Sequence, residues 1–117
     1  MLPLHQPELR IYRDKSGRSL FERWFASLDR VVAAKVSVAL VRLELGNFSN
    51  VKGVGEGVLE YRIDFGPGYR VHFGMDGATL VILLAGGTKK RQATDIASAK
   101  AFWADYRDRK SEEITWH

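Results

Sequence analysis

Along the chain the spacing of apolar positions changes period several times, and each change marks an element. In "ELRIY", residues 8 to 12, Leu9 and Ile11 alternate with polar neighbours, which predicts a short first strand. "RDKSG" breaks it. In "SLFERWFASL" the residues Leu20, Phe21, Trp24, Phe25 and Leu28 return at helical spacing, and Ser19 with Glu22 matches a capping box that would satisfy the first orphan amides. A second helix follows Asp29, a good N-cap residue, with Val32, Val36, Leu40 and Leu43 along one face and Gly46 as its terminator. So short a connection implies an antiparallel helical hairpin. "NFSNVKGVGEG" follows; with Gly46 counted, four glycines fall between 46 and 57, and the segment reads as a loop crossing from helices to sheet.

From Val58 the period is two. Leu59, Tyr61, Ile63 and Phe65 take one face, expected to be core, and Glu60, Arg62 and Asp64 the other, expected to be wet. After "GPG" the alternation resumes with Tyr69, Val71, Phe73 and Met75 inward and Arg70, His72 and Gly74 outward, up to the hairpin signal Asp76-Gly77. "TLVILLA" is apolar throughout, as expected of a strand buried on both faces or sitting centrally. Last, "TDIASAKAFWADYRD" places Ile96, Ala99, Phe102, Trp103 and Tyr106 at helical spacing, with Thr94 or Asp95 as the cap. The reading is an α+β fold: an N-terminal strand, a helical hairpin, a three-stranded antiparallel meander packed on the helices, and a C-terminal helix.

Composition narrows the class. A length of 117 residues fits one domain, residues 1–117, with a single continuous core. With no cysteine there is no disulfide framework, thiol nucleophile or thiolate metal site. The N-terminal "MLPLHQPELR" lacks the pattern of a signal peptide, and the longest apolar run, residues 80 to 85, is too short to span a bilayer, so an unexported cytoplasmic protein is expected, with no membrane partner. A net charge of +4 biases the surface toward polyanions such as RNA, or toward an acidic protein.

Strand pairing turns this bias into a candidate site. If residues 66 to 68 form the hairpin loop, Asp64 lies opposite Arg70 and Arg62 opposite His72, all on one sheet face. A two-residue turn at Asp76-Gly77 would pair Met75 with Ala78, put Arg70 opposite Leu83 and bring Ala85 beside Gly68. "GGTKKR" would then emerge next to the Gly-Pro-Gly turn. Arg62, Arg70, Lys89 and Lys90 converge on one end of the sheet, Arg91 follows, His72 lies close by, and Lys52 precedes the meander within reach.

Cations neutralise phosphates and position the chain. Metal-independent RNA cleavage needs a base for the attacking 2′-hydroxyl, cations for the developing phosphorane charge and an acid for the leaving oxygen. Arg70 can hold that charge, His72 has the pKa range of a base or acid, and Lys89 or Lys90 can do either. Each position also has an ordinary use. Alternating Arg, His and Asp on a strand is commonly a solvated face, and His72 could simply bond Glu60 or Asp64. Trp24, Phe25, Phe102 and Trp103 read as core, and His5 and His117 lie too near the termini to join the site. "GVGEG" precedes a strand and lacks the P-loop lysine, and no acidic or histidine cluster has metal-ligand spacing, so neither metal nor cofactor is implied.

About half the chain, "LELGNFSNVKGVGEGVLEYRIDFGPGYRVHFGMDGATLVILLAGGTKKRQATDIASAKAFW", resembles the RelE/ParE superfamily of type II toxins, and most closely its HigB-like branch of addiction module killer proteins. "GxGVxExRIDxGPGYRVxF" and "LLxGGxKxxQxxDI" carry the likeness. The resemblance implies a RelE-like fold and a toxin that blocks translation by cleaving mRNA on the ribosome without a metal, held inactive by a cognate antitoxin. It maps the functional basic residues onto Arg62, Arg70 and Lys89. It departs at Asp64, where the RNA-cleaving members carry a second lysine, and at His72, where many relatives carry tyrosine. The alternative within the superfamily is a ParE-like toxin that binds and poisons DNA gyrase without cutting RNA.

Overall fold

The caps form where the side chains dictate. Ser19 Oγ accepts from the Glu22 amide and Asp29 Oδ1 accepts from the Val32 amide, each at 3.0 Å, opening two helices, α1 (Leu20–Ala26) and α2 (Arg30–Glu44). The capping box is half made, because the Glu22 carboxylate pairs with Arg13 instead of turning back on its own helix. Gly46, at φ +78°, ends α2 in a left-handed residue, and the Asn47 amide reaches back to the Arg42 carbonyl at 2.9 Å.

The structure is a computed structural model and describes residues 6–115, so His5 and His117 lie outside the described residues. Its strands are β1 (Glu8–Ile11), β2 (Val51–Gly55), β3 (Val58–Ile63), β4 (Tyr69–Asp76) and β5 (Leu80–Thr88), and a 3-10 turn at Lys89–Arg91 leads into α3 (Gln92–Thr115). The fold is α+β as expected, with a sheet of five strands in the order β1-β5-β4-β3-β2. β1 runs parallel to β5 and every other pair is antiparallel. β5 is therefore an interior strand, and its apolar run is buried as read.

Three expectations are corrected. The glycine-rich "loop" contains β2, whose Val51 and Lys52 pair with Tyr61 and Glu60. Glycines lowered its strand propensity, but a ladder offered by β3 overrode them. The C-terminal helix begins earlier, at Gln92, so Asp95 lies in its first turn and not at its cap. Most consequentially, the second sheet face is wet only at its margin: Arg62 and Asp64 are exposed as expected, whereas Glu60, Arg70 and His72 are buried. The first face carries Tyr61, Ile63, Val71, Phe73, Val81 and Leu83 against Phe21, Val32, Val36, Ala39 and Leu43 of α1 and α2. The other face is covered by α3, where Val58, Ile82, Leu84 and Ala85 meet Ala99 and Trp103. Glycine makes this close approach: a Cβ on Gly74 would lie 2.5 Å from the Trp103 ring.

The hairpins also differ from the expected registers. Between β3 and β4 the last pair is Ile63 with Tyr69, so residues 64–68 form the loop, Arg62 faces Arg70, and Glu60 faces His72. The Gly68 amide closes a turn on the Phe65 carbonyl at 2.9 Å, and Gly66 and Gly68 take positive φ. The second hairpin pairs Asp76 with Leu80 rather than Met75 with Ala78, and β5 carries a bulge beside His72 and Phe73. Arg70 consequently lies opposite Gly87, and Ala85 opposite His72.

Candidate active site

Arg62 and Arg70 lie directly across from each other on β3 and β4, a pairing of like charges that costs energy unless carboxylates offset it. Two do. Arg62 Nε lies 3.9 Å from Asp64, and Arg70 Nε lies 3.5 Å from Glu60. The two arginines differ in setting. The Arg62 side chain is 57% exposed, whereas that of Arg70 is 6% exposed, with Nη1 donating to the Tyr69 carbonyl at 3.1 Å. Lys89 is brought to the same place by its backbone: its amide donates to the Gly68 carbonyl at 3.0 Å. Arg62, Arg70 and Lys89 all line one cavity of about 310 Å³ above the Gly-Pro-Gly turn, together with Asp64. Of the four cations expected to converge, Arg62, Arg70 and Lys89 line this cavity and Lys90 does not, and both registers differ from those expected.

His72 is elsewhere. It is fully buried beneath α3 and does not line that cavity. Its Nε2 lies 2.8 Å from Glu60 Oε2, within hydrogen-bond distance. Gln92, in the first turn of α3, donates to both Glu60 oxygens at 2.8 Å. Lys52, on the exposed side of β2, reaches Glu60 Oε1 at 3.8 Å. Glu60 is thus a fully buried carboxylate surrounded by His72, Gln92, Arg70 and Lys52, an arrangement that compensates a charge otherwise costly to bury. It links strands β2, β3 and β4 to the start of α3 and fixes the arginine that floors the cavity.

Glu60 and Gln92 were missed as site residues. The signal for Glu60 was its place on the face that holds Arg62, masked by the assumption that this face met water. Gln92 belonged to the "LLxGGxKxxQxxDI" segment of the resemblance without a reason attached. Lys90 is exposed on the 3-10 turn, while Arg91 lines a neighbouring groove with Trp24, Gly87 and Asp95. Burial pushes the Asp95 carboxyl up, with Arg91 and His72 opposing the shift. Gly87 lets Asp95 approach, since a Cβ there would lie 1.9 Å from its Oδ2. Among the described residues no group of three or more His, Asp or Glu is arranged to hold a metal, and no helix is long and apolar enough to cross a membrane.

Residues 23–101 match the phage-derived Gp49-like protein family (DUF891), and the chain belongs to that family of RelE/HigB-type toxins. It is also 44% identical over 81 residues to an uncharacterized protein of Haemophilus influenzae (strain ATCC 51907 / DSM 11121 / KW20 / Rd), across 68% of this chain and 82% of that one. The matched family region contains Lys52, Glu60, Arg62, Arg70, His72, Lys89 and Gln92.

Proposed function

We propose that the protein is a metal-independent endoribonuclease toxin that cuts mRNA on the ribosome in the cytoplasm and is neutralised by a cognate antitoxin. The observation that supports it is the cavity in which Arg62, Arg70 and Lys89 meet. Two directly opposed arginines are an arrangement that a bound phosphate would relieve. In the reaction the 2′-hydroxyl gives its proton to water, its oxygen attacks the adjacent phosphorus to form a cyclic phosphate, and the 5′-oxygen leaves. Arg70, held by Glu60, stabilises the charge that grows on the equatorial oxygens, and Arg62 shares it from the open side. Lys89 donates the proton to the leaving oxygen. His72 acts through Glu60, as a positioning residue. Lys52, Lys90 and Arg91 extend the positive surface along which the RNA backbone lies.

Induced expression with and without the antitoxin, followed by primer extension on cellular mRNA, tests this. Growth arrest with discrete cuts is expected, and Arg70→Ala should reduce cleavage by about a hundredfold or more. Full arrest with intact mRNA would overturn the reading, and trapped gyrase complexes under those conditions would establish the ParE-like alternative instead.

A further inference from the structure

Where β5 runs past the end of β1, a groove opens beside the basic cavity. β1 pairs with β5 only from Leu80 to Leu83, so the end of β5 has no strand neighbour on that side. Helix α1 and the start of α3 supply the walls instead, around a volume of about 500 Å³. That lies within the range of small-molecule sites, roughly 300–1,000 Å³. Two glycines let the walls close on the strand: a Cβ on Gly86 would lie 2.1 Å from the Trp24 ring, and one on Gly87 would lie 1.9 Å from Asp95 Oδ2. Thr88 lines the groove and the next residue, Lys89, lines the cavity, so the two are neighbours across the end of β5.

Asp95 carries the chemistry of this groove. The residue is 7% exposed, and among the described residues nothing donates to its Oδ2. A buried acceptor without a donor costs stability, and native proteins keep few of them. The torsion that orients a carboxyl is soft, so a rotation turns this oxygen toward the groove that the residue lines. Trp24 in the facing wall is half-buried, and Arg23 and Arg91, which also line the groove, are exposed. An aromatic ring, two cations and an acceptor in want of a donor match the three parts of a nucleotide: a base to stack, a phosphate to pair and a base edge that donates. An ionised carboxylate only accepts, so it selects among bases. Guanine sets two donors side by side, its ring N–H and its amino group. Adenine and cytosine set one amino donor beside an acceptor nitrogen, and uracil sets its N–H between two carbonyls.

We infer that the groove between α1 and α3 is a subsite for a guanine nucleotide, and that the guanine is the one next to the cut in the mRNA; that this nucleotide belongs to mRNA rests on the proposed function. Asp95 accepts from the two donors of the base, Trp24 covers the ring, and Arg23 and Arg91 hold the phosphate. Free guanine nucleotide shares this chemistry, and the two sources differ in what they do to cleavage.

The test titrates the purified full chain with 5′-GMP, AMP, CMP, UMP and guanosine by calorimetry, and maps cuts in cellular mRNA by primer extension. GMP should bind about tenfold or more tightly than the other three nucleotides, as a good two-donor pair discriminates. Asp95→Asn should erase that preference. Arg23→Ala should weaken GMP by about tenfold and leave guanosine, which has no phosphate, unchanged. Thr94→Trp, at an exposed position lining the groove, should block GMP with an unchanged circular dichroism melt, which separates loss of the site from loss of the fold. In the mRNA map guanine should be enriched at one fixed position beside the cut, and Asp95→Asn should abolish the enrichment. Equal binding of the four nucleotides, or a preference that survives Asp95→Asn, would overturn the subsite while the nuclease reading stands. Selective GMP binding with cuts indifferent to guanine would overturn the mRNA assignment and make free nucleotide the ligand. Selective GMP binding by a protein that cuts no mRNA would sink the nuclease reading and leave the guanine site standing.

Discussion

At the scale of single residues, Glu60 separates a surface cluster from a built site. It is fully buried and holds Arg70, His72 and Gln92 together. Glu60→Ala leaves those groups facing an uncompensated hole, and a loss of about 3–5 kcal/mol is expected from urea unfolding, the usual cost of breaking a buried pair. Glu60→Gln should lose less stability yet release Arg70, lowering cleavage more than stability; equal activity in the two proteins would show that Arg70 needs no holder. Gly68 makes a second residue-scale prediction. It has φ +85°, and a Cβ there would lie 3.3 Å from Arg70 Nη1. Gly68→Ala should cost roughly 1–2 kcal/mol in backbone strain and displace the guanidinium, so that cleavage falls while the mutant still folds cooperatively.

At the scale of elements, α3 is strapped to the sheet by carboxylates near its C-terminal half. Tyr106 donates to Asp76 at 2.6 Å and Lys110 also binds that carboxylate. Tyr12 donates to Asp105 at 2.5 Å, and Arg109 pairs with Asp105 while donating to the Arg13 carbonyl. The Lys110 and Tyr106 bonds hold the Asp76 carboxyl below its ordinary range, and the Tyr12 bond does the same for Asp105. Burial, reinforced by Asp105, pushes the Tyr12 hydroxyl up to about 12, so it stays a donor at any physiological pH. Depressed carboxyls contribute stability that is present above the unfolded value of about 4 and lost as pH falls through the native values. Asp95, raised by burial, works in the opposite direction. Urea midpoints should therefore drop as pH falls below about 4, and Asp76→Asn with Asp105→Asn should shrink that drop; an unchanged slope would mean the straps carry no stability.

Every element but β2 was legible because capping and period are local, and β2 was hidden by glycines that lower strand propensity. Ser19, Asp29 and Gly46 act within one turn of themselves, and each does what its chemistry requires. Pairing was less legible. The loop of residues 64–68 is longer than the Gly-Pro-Gly tripeptide by two residues, and an even slip keeps every side chain on its face while changing its partner. That is why Arg62 and Arg70 were placed on the right face with the wrong neighbours.

At the scale of the molecule, two cores share one sheet. Tyr12 stacks on Phe102 at 5.1 Å between ring centres and Trp103 on Tyr106 at 5.2 Å, closing the second core under α3. Trp103→Ala should cost about 3–5 kcal/mol and, because Gln92 shares the same helix, loosen the Glu60 cluster as well. Unfolding followed by tryptophan fluorescence and by hydrogen exchange at Arg70 should therefore move together; a native-like Arg70 amide in this mutant would show the two cores to be independent.

The sequence by itself determined the helices, the caps of α1 and α2, the alternating strands of the meander and the basic residues Arg62, Arg70 and Lys89 that meet at the Gly-Pro-Gly turn, since these follow from local periodicity and short loops. Tertiary structure alone decided that the second face is covered. Whether Glu60, Arg70 and His72 meet water depends on where a helix that begins about twenty to thirty positions further along the chain comes to rest, and Gly74 and Gly87 admit it only in three dimensions. Burial under α3 is what turned a row of charged strand residues into a carboxylate-centred cluster, and it separated Arg70, which reaches the cavity, from His72, which does not.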